Sequence, residues 1–312
     1  PLVTYSLPLV VTVAFWWEDW PGTRLRAAWS GWADTALIAV GAVVLTAAGQ
    51  ALAGRLDPAA LLDPSPGPGH VPTFPATLPL AGLAFIAMLE ITLVGEGWPL
   101  RGRRPVPAGL LAVLLSWAVA LVLYLTLVEV VPPAGSAVTA RSGPVPGADL
   151  GAVLVLIGAG QVLCCVTWRG WPFARIPGRA ARLVTAHVAV VGGGIVGYVL
   201  AHRVLGFGPV RIAAAGGCFI AAGLLFGMLF EGWLRFLPAP VERVALLLAT
   251  LALAAGLAVA LDAAAGALPL RRVGTDDWVE HASLNALATA VILHVAVGRR
   301  WPFGRRPAGG DR

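Results

Sequence analysis

A chain of 312 residues that is 58% hydrophobic and only 12% charged, with mean hydropathy +0.82, is not an ordinary water-soluble domain, where about a quarter of residues are charged. The net charge of +6 is carried on the basic side by arginine alone, since the chain has no lysine. These arginines sit in short loops between apolar runs, where membrane topology accounts for them and nucleic-acid binding is excluded as their explanation.

A bilayer crossing takes about 20 apolar residues, and nine runs qualify as candidate spans: 2–17, 32–53, 76–95, 107–131, 149–168, 180–205, 210–230, 240–262 and 278–298. The expected fold is therefore all-α, a polytopic transmembrane bundle of about nine helices forming one integral membrane domain over 1–312. The first run is short and carries Pro8. It has neither a basic n-region nor a small-residue cleavage site, so it reads as a span and not as a cleavable signal. Between spans two and three, and again between four and five, residues 54–75 and 132–148 are rich in Pro, Gly and Ser and read as irregular loops on the membrane surface.

At the end of every odd-numbered span one short pattern returns. It reads Glu18-Asp19-Trp20-Pro21, Glu96-Gly97-Trp98-Pro99, Arg169-Gly170-Trp171-Pro172, Glu231-Gly232-Trp233-Leu234 and Arg299-Arg300-Trp301-Pro302. The indoles lie about one helical hairpin apart, so the chain reads as tandem hairpin repeats over about 1–57, 76–133, 149–207 and 210–265. A final helix at 278–298 and a tail at 299–312 complete it. The loops that carry this pattern hold most of the 22 arginines. By the positive-inside rule they are cytoplasmic, with the N-terminus outside and the C-terminus inside. Trp anchoring at the interface, Pro ending the helix and Arg holding the loop in the cytosol explain the pattern structurally. A docking surface for a cytosolic partner is the alternative. The arginine-only, Ala- and Gly-rich composition is that of a GC-rich bacterial genome, which places the chain in a bacterial plasma membrane.

Ionisable groups inside hydrocarbon are costly and mark functional candidates. Of five histidines, His187 and His202 lie on the sixth span and His281 and His294 on the ninth. These spans run in opposite directions, and at 1.5 Å per residue the pairs are separated by about 22 Å and about 20 Å. If the two spans are neighbours, His187 meets His294 and His202 meets His281, an arrangement suited to two haem b groups with axial imidazoles. The helical wheel opposes this on the ninth span, where a 13-residue step turns the side chain by about 140°.

A second set, Asp277, His281, His202, Glu129 and Asp262, offers nitrogen and oxygen ligands for Cu, Zn or Fe if the outer helix ends converge. Without convergence, Asp276, Asp277 and Glu280 simply charge a helix N-terminus favourably. Glu90 places a carboxylate inside the third span. Cys164 and Cys165 lie in an apolar run, as does Cys218, which excludes a disulfide framework and fits small buried packing groups or, less simply, a thiolate ligand. Glycines at 192–194 and 216–217 read as close helix-packing faces.

Three functions follow as expectations. The first is a membrane redox or electron-transfer protein, or the membrane subunit of a redox complex, holding haem b or a metal through these histidines. The second is a transporter of a small molecule or ion coupled to protons or cations, with Glu90, Glu129, His187, His202 and Asp262 as pathway groups. The third is a structural or accessory membrane subunit with no cofactor. Each implies the lipid bilayer as partner, and a second subunit or a homo-oligomer is expected; whether the chain is an enzyme is left open.

Overall fold

The computed structural model describes residues 2–61, 69–268 and 274–298. Among them lie seven helices long and apolar enough to cross a membrane, together with two shorter apolar ones. In chain order they are α1 (Leu2–Trp16), α2 (Ala27–Ala53), α3 (Leu78–Val94), α4 (Pro105–Leu127), α5 (Gly147–Thr167), α6 (Arg179–Val204), α7 (Pro209–Leu229), α8 (Ala239–Ala267) and α9 (Thr275–Val297). Each expected span falls on one of these helices. α2 begins at Ala27 and α8 runs on to Ala267, each five residues beyond the expected span, whereas α4 stops short at Leu127, where the β-branched Val128 adopts extended backbone ahead of Pro132 and Pro133.

The five odd helices form the inner layer. α1 packs on α3, α3 on α5, α5 on α7 and α7 on α9. α9 returns against the first hairpin through Val297, which clusters with Val10, Val13 and Ile38. Each even helix lies outside, on the odd helix that precedes it. The outer helices show apolar side chains to the surroundings, such as Leu114 and Val122 on α4, Val184 and Val188 on α6, and Leu248 and Val259 on α8. Apolar surface on this scale is a liability in water, whereas lipid tails accept it and the helices satisfy their own backbone hydrogen bonds.

Without a hydrophobic force between helices in lipid, close approach must come from small residues and polar contacts. Gly194 is one such point: a Cβ there would lie 2.5 Å from Ile157 Cγ1 and 2.8 Å from the Ile157 backbone nitrogen, so glycine is what lets α6 touch α5. Gly192 and Gly193 face open space, so only one member of the triplet is a packing residue.

At the arginine-rich end every odd helix finishes in a widened π-helical turn: Thr12–Trp16, Glu90–Val94, Val162–Thr167, Leu225–Leu229 and Leu293–Val297. In the first three, two left-handed residues follow, Glu18 and Asp19, Glu96 and Gly97, then Arg169 and Gly170; after α7 Gly232 takes the second position. The N–H of that second residue bonds back to the helix, Asp19 to Val13 O, Gly97 to Ile91 O and Gly170 to Cys164 O, which caps carbonyls that the helix end leaves open. Trp20–Pro21, Trp98–Pro99 and Trp171–Pro172 come next, each with a cis peptide bond. The fifth copy of the pattern, Arg299 to Pro302, lies outside the described residues.

The opposite end is more ordered than its composition implies. The described residues of 54–61, 69–77 and 128–146 interlock: Val128 and Glu129 (β1) pair in parallel with Val145 and Pro146 (β2), and Val130 bridges Arg141. Thr139 N–H donates to Ala53 O, and Ala137 N–H to His70 O. The Arg141 guanidinium rests over the Tyr124 ring. Asp57 organises this cap. Its carboxylate accepts from the Val71 N–H at 3.0 Å and the Ala60 N–H at 3.3 Å and meets His70 Nδ1 at 2.9 Å. Burial works to raise the pKa of Asp57, yet these partners outweigh it and hold the carboxyl below the ordinary aspartate value.

Candidate functional site

Glu90, Gln161 and His187 are three polar residues that the fold brings together inside the bundle. Glu90 opens the π-helical turn of α3, Gln161 sits just before the corresponding turn of α5, and His187 is on α6, two turns in from Arg179 and so about 12 Å from the arginine-rich end. Nδ1 of His187 and Oε2 of Glu90 are hydrogen-bond partners. Gln161 Nε2 donates to Oε1 of Glu90 at 2.8 Å and approaches Ile86 O at 3.4 Å. Three helices are thus joined through one carboxylate. Gln161 is fully buried, and its Oε1 has no hydrogen-bond partner among the described residues. The Glu90 side chain is 15% exposed and His187 is 40% exposed on the outer side of the contact. Around them Val94, Ile157, Ala186 and Val190 form an apolar wall with Cys164 and Cys165 at its edge. The three cysteines are free thiols.

Toward the arginine-rich end, α3 and α6 are joined again. Arg182 grips Glu96 through two hydrogen bonds, at 2.6 and 2.9 Å, and Arg101 lies 3.7 Å away. The hydrogen bonds from Arg182, reinforced by the positive charge of Arg182, Arg179 and Arg101, hold the Glu96 carboxyl below its ordinary value against the opposing effect of burial. This ion pair sets the position of α6 and so of His187, one and a half turns further in.

The remaining expected residues lie apart from this site. α6 rests on α5 and on the end of α3, whereas α9 packs on α7, α8 and the end of α1, so His187 meets Glu90 and not His294. His294 lies half-buried in the last turn of α9. His202 stacks on Tyr198 and bonds through Nδ1 to Phe207 O. His281 follows Asp277 by one turn on α9. Glu129 is on β1, and Asp262 is exposed near the end of α8. Among the described residues no group of three or more His, Cys, Asp or Glu side chains is placed to hold a metal ion, so the fold does not gather Asp277, His281, His202, Glu129 and Asp262 into one ligand set.

Sequence reasoning passed over four polar groups. Gln161 is the single amide in α5, a signal that was present but uncharged. Asp34 is fully buried on α2 and accepts from the Gly22 N–H at 2.9 Å, tying the first turn to the helix that follows it. Trp17 and Trp168 each donate from Nε1 to a carbonyl at the start of an outer helix, Val106 O on α4 and Arg243 O on α8, both at 3.1 Å. Beside Trp168, Arg169 pairs with Glu242 at 2.8 Å and Arg243 lies over the Trp171 ring, around a cavity of about 180 Å³. With no protein-family model, curated protein or solved structure matching the chain, a functional reading rests on the geometry of these side chains alone.

Proposed function

We propose that the chain is an ion-coupled transport protein of the membrane in which Glu90 and His187 form a proton-binding couple. The observation that carries this reading is the contact itself: a carboxylate and an imidazole meet inside the apolar span, on an inner and an outer helix. Intramembrane ionisable pairs of this kind are the groups that relay protons in pumps and transporters. The pair can hold one proton between two bases or release it, and either change alters the bond between α3 and α6. The orphaned Oε1 of Gln161 supports the same reading, because a buried acceptor without a donor costs about 1–3 kcal/mol and is relieved by a water or a hydronium ion. In this reading the hairpins are tandem repeats and the arginine-rich turns face the cytoplasm, as the charge bias requires.

The test has two parts. Infrared difference spectra of the purified protein recorded across a pH series should contain a carboxyl band that Glu90→Gln removes. Proteoliposomes holding an imposed pH gradient should dissipate it faster on addition of one member of a panel of small solutes, and lose that response in Glu90→Gln and His187→Ala. A carboxyl band unchanged in Glu90→Gln, or a solute response that survives both substitutions, overturns the proposal.

One observation favours the redox reading as a second proposal. With Nδ1 of His187 held by a carboxylate, Nε2 is left in the orientation that a ligating imidazole takes when an outer-shell carboxylate supports it. Haem b or a Cu, Zn or Fe ion at Nε2 would then need its other ligands from elsewhere, for instance from a partner subunit. Absorption spectra of oxidised and dithionite-reduced protein, with metal analysis of the same sample, decide this: a Soret band lost in His187→Ala supports it, and a colourless, metal-free preparation refutes it.

A further inference from the structure

Two turns at the arginine-rich end hold an outer helix by an ion pair, and the two pairs have opposite polarity. After α3 the turn supplies the carboxylate and α6 the guanidinium, Glu96 with Arg182 at 2.6 Å. After α5 the turn supplies the guanidinium and α8 the carboxylate, Arg169 with Glu242 at 2.8 Å. Arg182 and Glu242 are each the fourth residue of their helix, so the exchange is made at one position. Glu96 and Arg169 also share the left-handed backbone, with φ of 51° and 50°.

The reversal changes how the surrounding arginines are neutralised. Around Glu96 one carboxylate faces Arg182, Arg179 and Arg101 together. After α5 the carboxylate is held by Arg169, and among the described residues neither Arg175 nor Arg243 forms an ion pair. Arg175 is exposed at the end of the short turn Phe173–Arg175. Arg243 lies over the Trp171 ring, 5.1 Å from its centroid. A ring face attracts the charge but does not satisfy the five N–H donors of a guanidinium. These three arginines, with Trp168, Trp171 and Glu242, line the cavity of about 180 Å³ beside Trp168. Its lining carries three cations against one anion, and its volume is the share of about six waters at ~30 Å³ each.

We propose that this cavity binds a phosphate group, carried either by an anionic phospholipid of the leaflet at this end or by a free phosphate ion. A guanidinium fork matches two phosphate oxygens at once and bonds to them with charge assistance. Arg169, Arg175 and Arg243 come from three separate segments, the turn after α5, the short helical turn beyond it and the start of α8. Convergence from three segments suits a tetrahedral group better than the single plane of a carboxylate. Trp side chains such as Trp168 and Trp171 settle at headgroup level, where basic pockets between helices take up lipid headgroups. The bound group reinforces the tie between this turn and α8 that the Trp168 bond to Arg243 O begins. The site is separate from Glu90 and His187, and the inference stands whether or not that pair carries protons.

The test uses the full chain, delipidated in a neutral detergent at constant ionic strength. Phosphatidylglycerol is counted by native mass spectrometry, with phosphatidylcholine as the zwitterionic comparison, and inorganic phosphate is measured by equilibrium dialysis of the radiolabelled ion. At least one of phosphatidylglycerol and inorganic phosphate should fill a single saturable site. Its affinity should fall about ten-fold in Arg175→Gln and likewise in Arg243→Gln, each losing a charge-assisted hydrogen bond. Arg175→Gln alters an exposed side chain, and Arg243→Gln keeps the carbonyl that Trp168 uses, so the contacts that build the fold stay in place. Arg103→Gln, which removes an equal charge from the exposed turn after α3, should leave the affinity unchanged. Saturable phosphatidylglycerol that inorganic phosphate does not displace supports the inference and assigns the site to a lipid headgroup. Saturable inorganic phosphate that phosphatidylglycerol does not displace supports it and assigns the site to a soluble ion. The inference is overturned if neither probe saturates, if phosphatidylcholine binds as well as phosphatidylglycerol, if Arg175→Gln and Arg243→Gln both bind as the parent does, or if Arg103→Gln weakens binding as much as they do.

Discussion

Replacing His187 by alanine removes the partner on α6 that faces the Glu90 carboxylate and leaves Gln161 as its one side-chain donor among the described residues. Breaking a buried ion pair by deleting one partner costs about 3–5 kcal/mol, because the survivor is left uncompensated. At a helix centre in lipid the cost of an unpaired acid is about 2.5–3.5 kcal/mol. His187 is 40% exposed, so the loss falls below the fully buried range, and we expect His187→Ala to destabilise by about 2 kcal/mol at neutral pH. Glu90→Gln removes the charge and keeps the shape, so the double variant Glu90→Gln/His187→Ala should be little worse than Glu90→Gln alone. The coupling energy of the cycle should then be about 1–3 kcal/mol. Thermal unfolding in detergent, followed by the monodisperse fraction on size exclusion, measures all four proteins of the cycle. Strict additivity of the two substitutions would refute the reasoning, since it would mean that Glu90 and His187 do not exchange a charge or a proton.

Gly194→Ala should lower the unfolding midpoint by a few degrees, as overpacking against Ile157 costs about 1–3 kcal/mol and outweighs a helix-propensity gain of about 1 kcal/mol; Gly193→Ala, with open space around its Cβ, should not lower it. Trp168→Phe, which removes the indole bond to Arg243 O, should cost about 1 kcal/mol and speed hydrogen exchange at the first turn of α8, whereas Trp233→Phe should leave exchange in the outer helices unchanged. Asp57 is depressed in the folded state, so its contribution to the cap is present above the ordinary aspartate value of 3.8 and is lost as pH falls through the lower folded value. Protection of the Val71 and Ala60 amides, taken relative to their intrinsic exchange at the same pH, should therefore fall in acid, and Asp57→Asn should bring the same loosening to neutral pH; protection unchanged in the variant would count against the carboxylate as organiser.

The positions of the helices were legible in the chain because the length of an apolar run is set directly by bilayer thickness. The turns were legible because Trp and Pro recur in register with left-handed positions that Gly170 and Gly232 fill without a Cβ penalty. His187 and Glu90 could each be singled out as costly groups within hydrocarbon, but not as partners, since 97 positions separate them. The histidines of α6 and α9 could meet only if those helices were neighbours, whereas the fold sets α6 on α5 and the end of α3. Helices such as α2 and α4 are apolar on nearly every side, so their composition does not say which side faces a neighbour. In water the apolar stripe of a helix encodes its buried face; in lipid that driving force is absent, and the choice of neighbour passes to local contacts such as Gly194 on Ile157, Arg182 on Glu96 and Trp168 on Arg243, which exist only once the chain has folded.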